Sequence, residues 1–298
     1  MGQKKLIVIA GPTASGKTAL AIELATHLQT EILSADSRQC YKELAIGVAK
    51  PSAEQLKKVK HYFIDSHSIH ENVSAGEYER YGLDALQQIF SKSDYAICVG
   101  GTGLYIQALC NGIDEMPEVD MNLFLQAENN FKEKGMTWLQ EEIKLMDPEY
   151  YKFGEIKNPS RILRALTFIL SQKQSILTFQ TKKNKVRDFQ TIYYAIETNR
   201  DQLYKQINQR VDDMLRQGLV EEVRNLAPYK NLKSLNTVGY KELFLYFDGL
   251  YTSAESIEKI KQHSRNYAKR QITWFKNQGN YQFSTTQSIA FSVMNNPI

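Results

Sequence analysis

Cysteine is scarce: the 298 residues contain only Cys40, Cys98 and Cys110. An odd set without metal-ligand spacing excludes a disulfide framework and a cysteine zinc site, and reads as reduced thiols in or beside a core. The five histidines include no pair at zinc-ligand spacing, and His61, beside the strand-like Tyr62, Phe63 and Ile64, reads as structural. No apolar run approaches the length that crosses a bilayer. The first strand pattern begins within a few residues of Met1, leaving no space for a signal peptide, so a cytoplasmic protein without membrane partners is expected. Charge of one sign is also lacking. With 37 basic against 33 acidic side chains the net charge is +4, so nucleic-acid binding cannot be argued from the total and any basic surface must be local. Fixed-period repeats and low-complexity segments are absent.

What is present is an ordinary globular composition, 42% hydrophobic and 23% charged, enough to bury a core as one large domain or a domain with an insert. Leu6 to Ile9 form a short apolar run suited to a buried parallel strand. Gly11-Pro12-Thr13-Ala14-Ser15-Gly16-Lys17-Thr18 follows, with the spacing of a phosphate-binding loop opening onto a helix marked by Leu20, Leu24 and Leu28. The glycines let backbone N–H groups curl round an anion, and the helix N-terminus adds partial positive charge. Lys17 adds a full charge, and the Thr18 hydroxyl is placed to hold Mg²⁺ beside the phosphates.

A second strand at 31–34 delivers Asp36, Ser37, Arg38 and Gln39 to the same sheet rim, because ligands in open α/β sheets lie beyond the carboxyl ends of strands. Asp36 is there either as an acid/base or as a turn carboxylate capping its own backbone. His61 to Asp65 reads as a third strand, 75–90 as a helix, and Tyr95 to Val99 as a fourth strand. Gly100-Gly101-Thr102-Gly103 then turns into another helix, its glycines explained either by close approach of a ligand or by tight packing.

From about Glu118 to Asp188 helices follow one another without a strand: Met121 to Lys134, Trp138 to Met146 and Ser160 to Leu170. The segment ends in the basic stretch 181–187, which reads as a mobile loop. Strand character returns at Ile192 to Glu197. The expected architecture is therefore α/β, a parallel sheet flanked by helices, with an all-helical insertion domain at 118–188 dividing a core at 1–117 and 189–298. Asn199 can cap the next helix, where Arg210 falls off the stripe of Leu203, Ile207, Val211, Met214 and Leu215, usually the mark of a solvent-facing side chain. The final long helix, about Ala254 to Asn277, puts Ile257, Ile260, Tyr267 and Trp274 at core spacing. Lys261, Arg265 and Lys269 make a basic row four residues apart, with Arg270 beside it. Like charges at that spacing repel, which a polyanion would offset.

Six blocks in register make the pattern specific. These are the phosphate loop; Ala35 to Gln39 with Tyr41-Lys42; Gly100 to Tyr105; Arg161 with Arg164-Ala165-Leu166; Gly239 to Leu243; and Lys269-Arg270-Gln271 with Thr273-Trp274-Phe275. From the first strand to about Phe275 the chain resembles the bacterial tRNA dimethylallyltransferases. That resemblance implies a P-loop NTPase-like parallel sheet flanked by helices, whose loop, Gly11 to Thr18, holds dimethylallyl diphosphate rather than ATP, with Mg²⁺ on Thr18. The implied partner is the tRNA anticodon stem-loop, and the implied product is N6-dimethylallyl adenosine just 3′ of the anticodon, made by a monomer. Thr13 and Arg210, the latter matching the family's Arg-Val dipeptide, become candidates to stabilise the leaving diphosphate, and Asp36 the candidate base. Ser37, Arg38, Gln39 and Thr102 are assigned to the flipped adenine and its neighbours. Lys261, Arg265, Lys269 and Arg270, with Phe124, Ser160, Arg161 and Arg164 in the insert, are assigned to tRNA contacts.

The sequence departs from the family pattern at Ser160, where Gln is usual, at Phe124, where Arg is frequent, and at Val48, where Thr is usual. Two rival readings share the loop: a small-molecule kinase using ATP, and an RNA-binding protein that uses nucleotide as a switch. The strand at 95–99 ends in glycines rather than an acidic Mg²⁺ ligand, which counts against a kinase.

Overall fold

A computed structural model describes residues 3–181, 183–278 and 280–295. By its internal contacts the chain divides into two compact units, Met1–Gly112 with Val186–Ile298, and Ile113–Lys185.

The first part of the larger unit runs β1 (Lys5–Ala10), α1 (Lys17–His27), β2 (Ile32–Ala35), α2 (Ala53–Lys58), β3 (His61–Tyr62), α3 (Ala75–Phe90), β4 (Tyr95–Gly100) and α4 (Gly103–Asn111). The smaller unit holds α5 (Met121–Met146), α6 (Pro148–Phe153) and α7 (Pro159–Gln172). The chain then resumes with β5 (Gln190–Ile196), α8 (Arg200–Arg216), α9 (Leu219–Asn225), α10 (Tyr240–Phe247), α11 (Ser253–Asn277), β6 (Gln282–Ser284) and α12 (Thr286–Asn295).

Among the described residues six strands form one parallel sheet in the order β3-β2-β4-β1-β5-β6. Successive side chains of a strand point to opposite faces, and both faces here are covered. On β1, Leu6 and Val8 join a cluster with Leu33, Cys98, Leu109, Leu243 and Phe275, whereas Ile7 and Ile9 join Leu20, Leu24, Ile97, Ile192 and Ile289. The register sets the functional edge. Ala10 lies opposite Gly100 and Ala195, and Gly100 lies opposite Ala35, so four strands end in one row. The chain crosses from β1 over β4 to reach β2, and later from β4 over β1 to reach β5. The loops after β1 and β4 therefore part in opposite directions, where a parallel sheet opens a crevice.

Several expectations are adjusted. The third strand is only two residues long, because Phe63 and Asp65 take φ of 62° and 51° and leave the extended region. The helices at 121–134 and 138–146 are one run kinked at Gly135, φ 77°. The smaller unit has its own core of Leu139, Ile143, Ile162, Leu166 and Phe168. Beyond Asn277 the chain adds β6 and α12, which the sequence pattern did not signal. All three cysteines are free and buried, and burial pushes the Cys40 thiol up to about 12 and that of Cys110 to about 11. Among the described residues no helix is long and apolar enough to cross a membrane.

Candidate active site

Because β1, β2 and β4 end level, Gly11, Asp36 and Gly101 leave the sheet side by side. Gly16 takes the left-handed conformation that starts α1, φ 84°, and Ala14 is also left-handed at φ 63°. A loop bent this way turns its amides toward an anion. Lys17 Nζ lies across the loop, donating to the Pro12 carbonyl at 2.7 Å. Burial, and then the charge of Arg210, lower its pKa to about 8, with Asp36 acting in the opposite sense.

Thr13, Lys17, Thr18, Asp36 and Arg210 line one cavity of about 370 Å³. Arg210 is not solvent-facing, as its place off the apolar stripe suggested. Its Nη1 donates to Thr13 Oγ1 at 3.2 Å and its Nη2 to the Ala49 carbonyl at 3.5 Å. The stripe residues Ile207, Val211 and Met214 line the same cavity and Ala14 of the loop packs against Leu203 and Ile207, so Arg210 stands beside the stripe on a helix that faces the phosphate loop. Burial lowers the Arg210 pKa, and Asp36 opposes that.

Asp36 plays the local role the turn predicted, as Oδ1 accepts from the amides of Arg38 (2.9 Å) and Gln39 (3.3 Å). Oδ2 takes part in neither bond, and the residue lines the cavity. The Ser37 amide donates to Thr102 Oγ1 at 3.1 Å, fastening the β2 loop to the β4 loop. Arg38 lines the cavity too, its guanidinium donating to the carbonyls of Ser234 (2.9 Å), Lys233 and Asn236 (both 3.3 Å). Gln39 Nε2 donates to the carbonyls of Val48 and Ala49. Both side chains are thus occupied in fixing loops at the cavity rim. His61 also lines the cavity, its Nδ1 2.8 Å from the Val59 carbonyl, and burial lowers its pKa.

Two residues of α11 carry more than the sequence reading gave them. Gln271 Oε1 accepts the Thr13 amide and Nε2 donates to the Gly101 carbonyl, both at 2.9 Å, so one carboxamide joins the loops after β1 and β4. Tyr267, expected in the core, lines the cavity instead; burial, then the Asp36 charge, push its phenol up to about 12. The signal for Gln271 was available: it stands in the stripe Ile260, Tyr267, Trp274, where a buried polar side chain requires partners. The same helix explains the second glycine cluster. A Cβ on Gly101 would meet Gln271 Nε2 at 2.0 Å, and one on Gly103 would meet Trp274 Nε1 at 2.0 Å. The glycines admit α11, so packing rather than ligand approach accounts for these two.

The expected basic row is divided. Lys261 pairs with Asp212 at 2.8 Å, and Arg265 Nη1 donates to Asn208 Oδ1 at 2.6 Å, tying α11 to α8. Lys269 and Arg270 are exposed, Arg270 lying over the Tyr267 ring. Within the smaller unit Ser160, Arg161 and Arg164 are exposed on α7, whereas Phe124 packs against that unit's core. The basic stretch 181–187 differs from a free loop at its end, since Arg187 pairs with buried Glu79 at 2.7 Å and donates to the carbonyls of Ala108 and Leu109. Lys182 lies outside the described residues.

A parallel sheet whose first strand opens into a phosphate loop, with a lysine, an arginine and a carboxylate round one cavity, defines a P-loop NTPase-like protein. The loop is bolted at Thr13 to a C-terminal helix, which narrows the class. The chain belongs to the IPP transferase family, whose pattern matches residues 39–278. It is 42% identical over 294 residues to the tRNA dimethylallyltransferase of Flavobacterium johnsoniae, covering 96% of this chain and 95% of that one. It is 44% identical over 271 residues to that of Christiangramia forsetii, covering 91% and 90%. The crystal structure of tRNA delta(2)-isopentenylpyrophosphate transferase from Staphylococcus epidermidis superposes with a TM-score of 0.71 at 35% identity, covering 99% of each chain. The Bacillus halodurans tRNA isopentenylpyrophosphate transferase gives 0.72 at 30%, covering 98% and 95%.

Proposed function

We propose that this protein transfers a dimethylallyl group from dimethylallyl diphosphate to N6 of the adenosine 3′-adjacent to the anticodon in tRNA, releasing pyrophosphate. The observation that carries this reading is the single cavity in which the phosphate loop, Arg210 and Asp36 meet. An exocyclic amine of adenine is a weak nucleophile, because its lone pair is delocalised into the ring. It needs an electrophile close to an allyl cation, which forms if the departing diphosphate is stabilised as charge develops on it. Loop amides, Lys17, Arg210 and the Thr13 hydroxyl are grouped for that task.

Asp36 takes the proton that leaves N6 as the C–N bond forms, a role in which positioned bases contribute about 10²–10⁴-fold. Tyr267 lines the cavity that would receive the adenine, and Thr102 holds Ser37 beside Asp36; the base must leave its stack to enter. The exposed cations Lys269, Arg270, Arg161 and Arg164 are the candidates for tRNA phosphates.

Among the described residues no cluster of three or more His, Cys, Asp or Glu is arranged to hold a metal. Mg²⁺ nevertheless fits the donor set, because it commonly takes one or two protein oxygens and completes its shell with phosphate oxygens and water. Thr18 would supply the protein oxygen, and the ion would neutralise charge on the diphosphate.

The test is incubation with dimethylallyl diphosphate, Mg²⁺ and unmodified tRNA, followed by mass analysis of the nucleosides. A mass gain of one dimethylallyl group on adenosine is expected, reduced by two or more orders of magnitude in Asp36→Ala. Turnover of ATP against a metabolite without any change in the tRNA would sink the reading.

A further inference from the structure

One wall of the cavity is held from outside by a carboxylate that does not line it. On α9, Glu222 Oε2 accepts from the amides of Ala45 (3.2 Å) and Ile46 (2.7 Å), while Oε1 accepts from the amide of Gly47 (3.0 Å). Oε1 also accepts the hydroxyl of Tyr240 at 2.5 Å. Tyr240 is fully buried, and its ring presses so closely on Gly47 that a Cβ there would lie 2.5 Å from it. Three successive amides with a phenol behind the same carboxylate form a clamp rather than a passing surface contact.

The clamped segment then turns toward the site. Ala49 is left-handed, φ 49°, a conformation a non-glycine residue keeps only where its surroundings impose it. Its carbonyl accepts from Gln39 Nε2 at 3.0 Å and from Arg210 Nη2 at 3.5 Å. Glu222 thus grips the amides of one end of this loop, and the site residues rest on the carbonyls of the other.

We propose that Glu222, locked by Tyr240, is a positioning residue for the leaving-group site. By fixing the 45–49 loop it sets the Ala49 carbonyl that seats Arg210 against Thr13, and so acts on diphosphate departure through Arg210. The proposal rests on the prenyl-transfer reading.

The test uses Tyr240→Phe, which keeps the ring and removes only the hydroxyl, and Glu222→Gln, which turns an amide donor toward backbone donors. Each is combined with Arg210→Lys in a double-mutant cycle, reading kcat with dimethylallyl diphosphate and tRNA, and the affinity for inorganic diphosphate. On the native background kcat falls about tenfold for Tyr240→Phe and about a hundredfold for Glu222→Gln, with diphosphate affinity falling alongside and tRNA affinity unchanged. On the Arg210→Lys background both losses shrink, because the group being positioned has already been altered. Full additivity, or a lowered melting temperature with unchanged kcat and diphosphate affinity, would overturn the proposal. If Glu222→Gln does not fold, the Tyr240→Phe cycle decides by the same criterion. Wild-type protein that binds diphosphate without modifying tRNA would remove the prenyl-transfer reading instead, leaving the diphosphate cycle to judge the clamp.

Discussion

Arg210 reaches back across 197 positions of the chain to place Nη1 3.2 Å from Thr13 Oγ1. A guanidinium beside a phosphate loop is best placed to meet charge that grows on a departing group. Arg210→Lys keeps the charge but loses the planar fork that spans Thr13 and Ala49. It should lower kcat by about 10²-fold, with a smaller change in KM for the diphosphate donor. Equal kcat in steady-state assays would take Arg210 off the leaving group.

Lys17 gives a pH dependence whose sign can be worked out. Its folded pKa, about 8, lies below the unfolded value of 10.5, so between those values the unfolded chain holds more protons. Stability contributed at this residue therefore rises with pH through that window, and below it the buried ammonium is a cost. Lys17→Met should gain most over wild type in denaturant unfolding at pH 7, with the advantage shrinking by pH 9.5. A difference that does not vary with pH contradicts this account.

Gln271 holds one part-buried and one buried backbone group, and its removal leaves both without that partner. Gln271→Ala strips the Thr13 amide and the Gly101 carbonyl together, and should cost about 2–4 kcal/mol. Because the Thr13 amide belongs to the phosphate loop, affinity for inorganic diphosphate should also fall, by about tenfold. Calorimetric titration checks this; a destabilised protein with normal diphosphate affinity would confine Gln271 to packing.

Lys269 and Arg270 are exposed and Lys261 is paired, so the two kinds of position should behave differently. Lys269→Ala should flatten the dependence of log K for tRNA on log salt by about 0.9. Lys261→Ala should leave that slope almost unchanged while lowering stability through the lost Asp212 pair. Filter binding across a salt series separates them, and identical slopes for both variants would count against the division.

Local patterns made the sheet legible. Four apolar runs, each followed by a turn carrying glycine or a polar cluster, are enough to place Gly11, Asp36 and Gly101 on one rim, since parallel strands deliver their ends to the same side. Phe63 reads as strand because an aromatic beside a strand is a core residue whether or not the backbone stays extended; its ring packs on Tyr78, Tyr81 and Tyr105. The inward turn of Arg210, the division of the basic row and the Glu222 clamp were not legible from spacing, because each depends on which helix lies opposite. Three residues of β6, two of them exposed, carry too little periodicity to announce a strand.

The bond from Gln271 to Thr13 spans 258 positions, and this has a consequence for biogenesis. A nascent chain that has emerged only as far as β4 possesses every amino acid of its anion cradle but none of the helix that pins it. The loop is fastened only once the ribosome has made α11, so shortened translation products ending before that helix lack the bond that sets it.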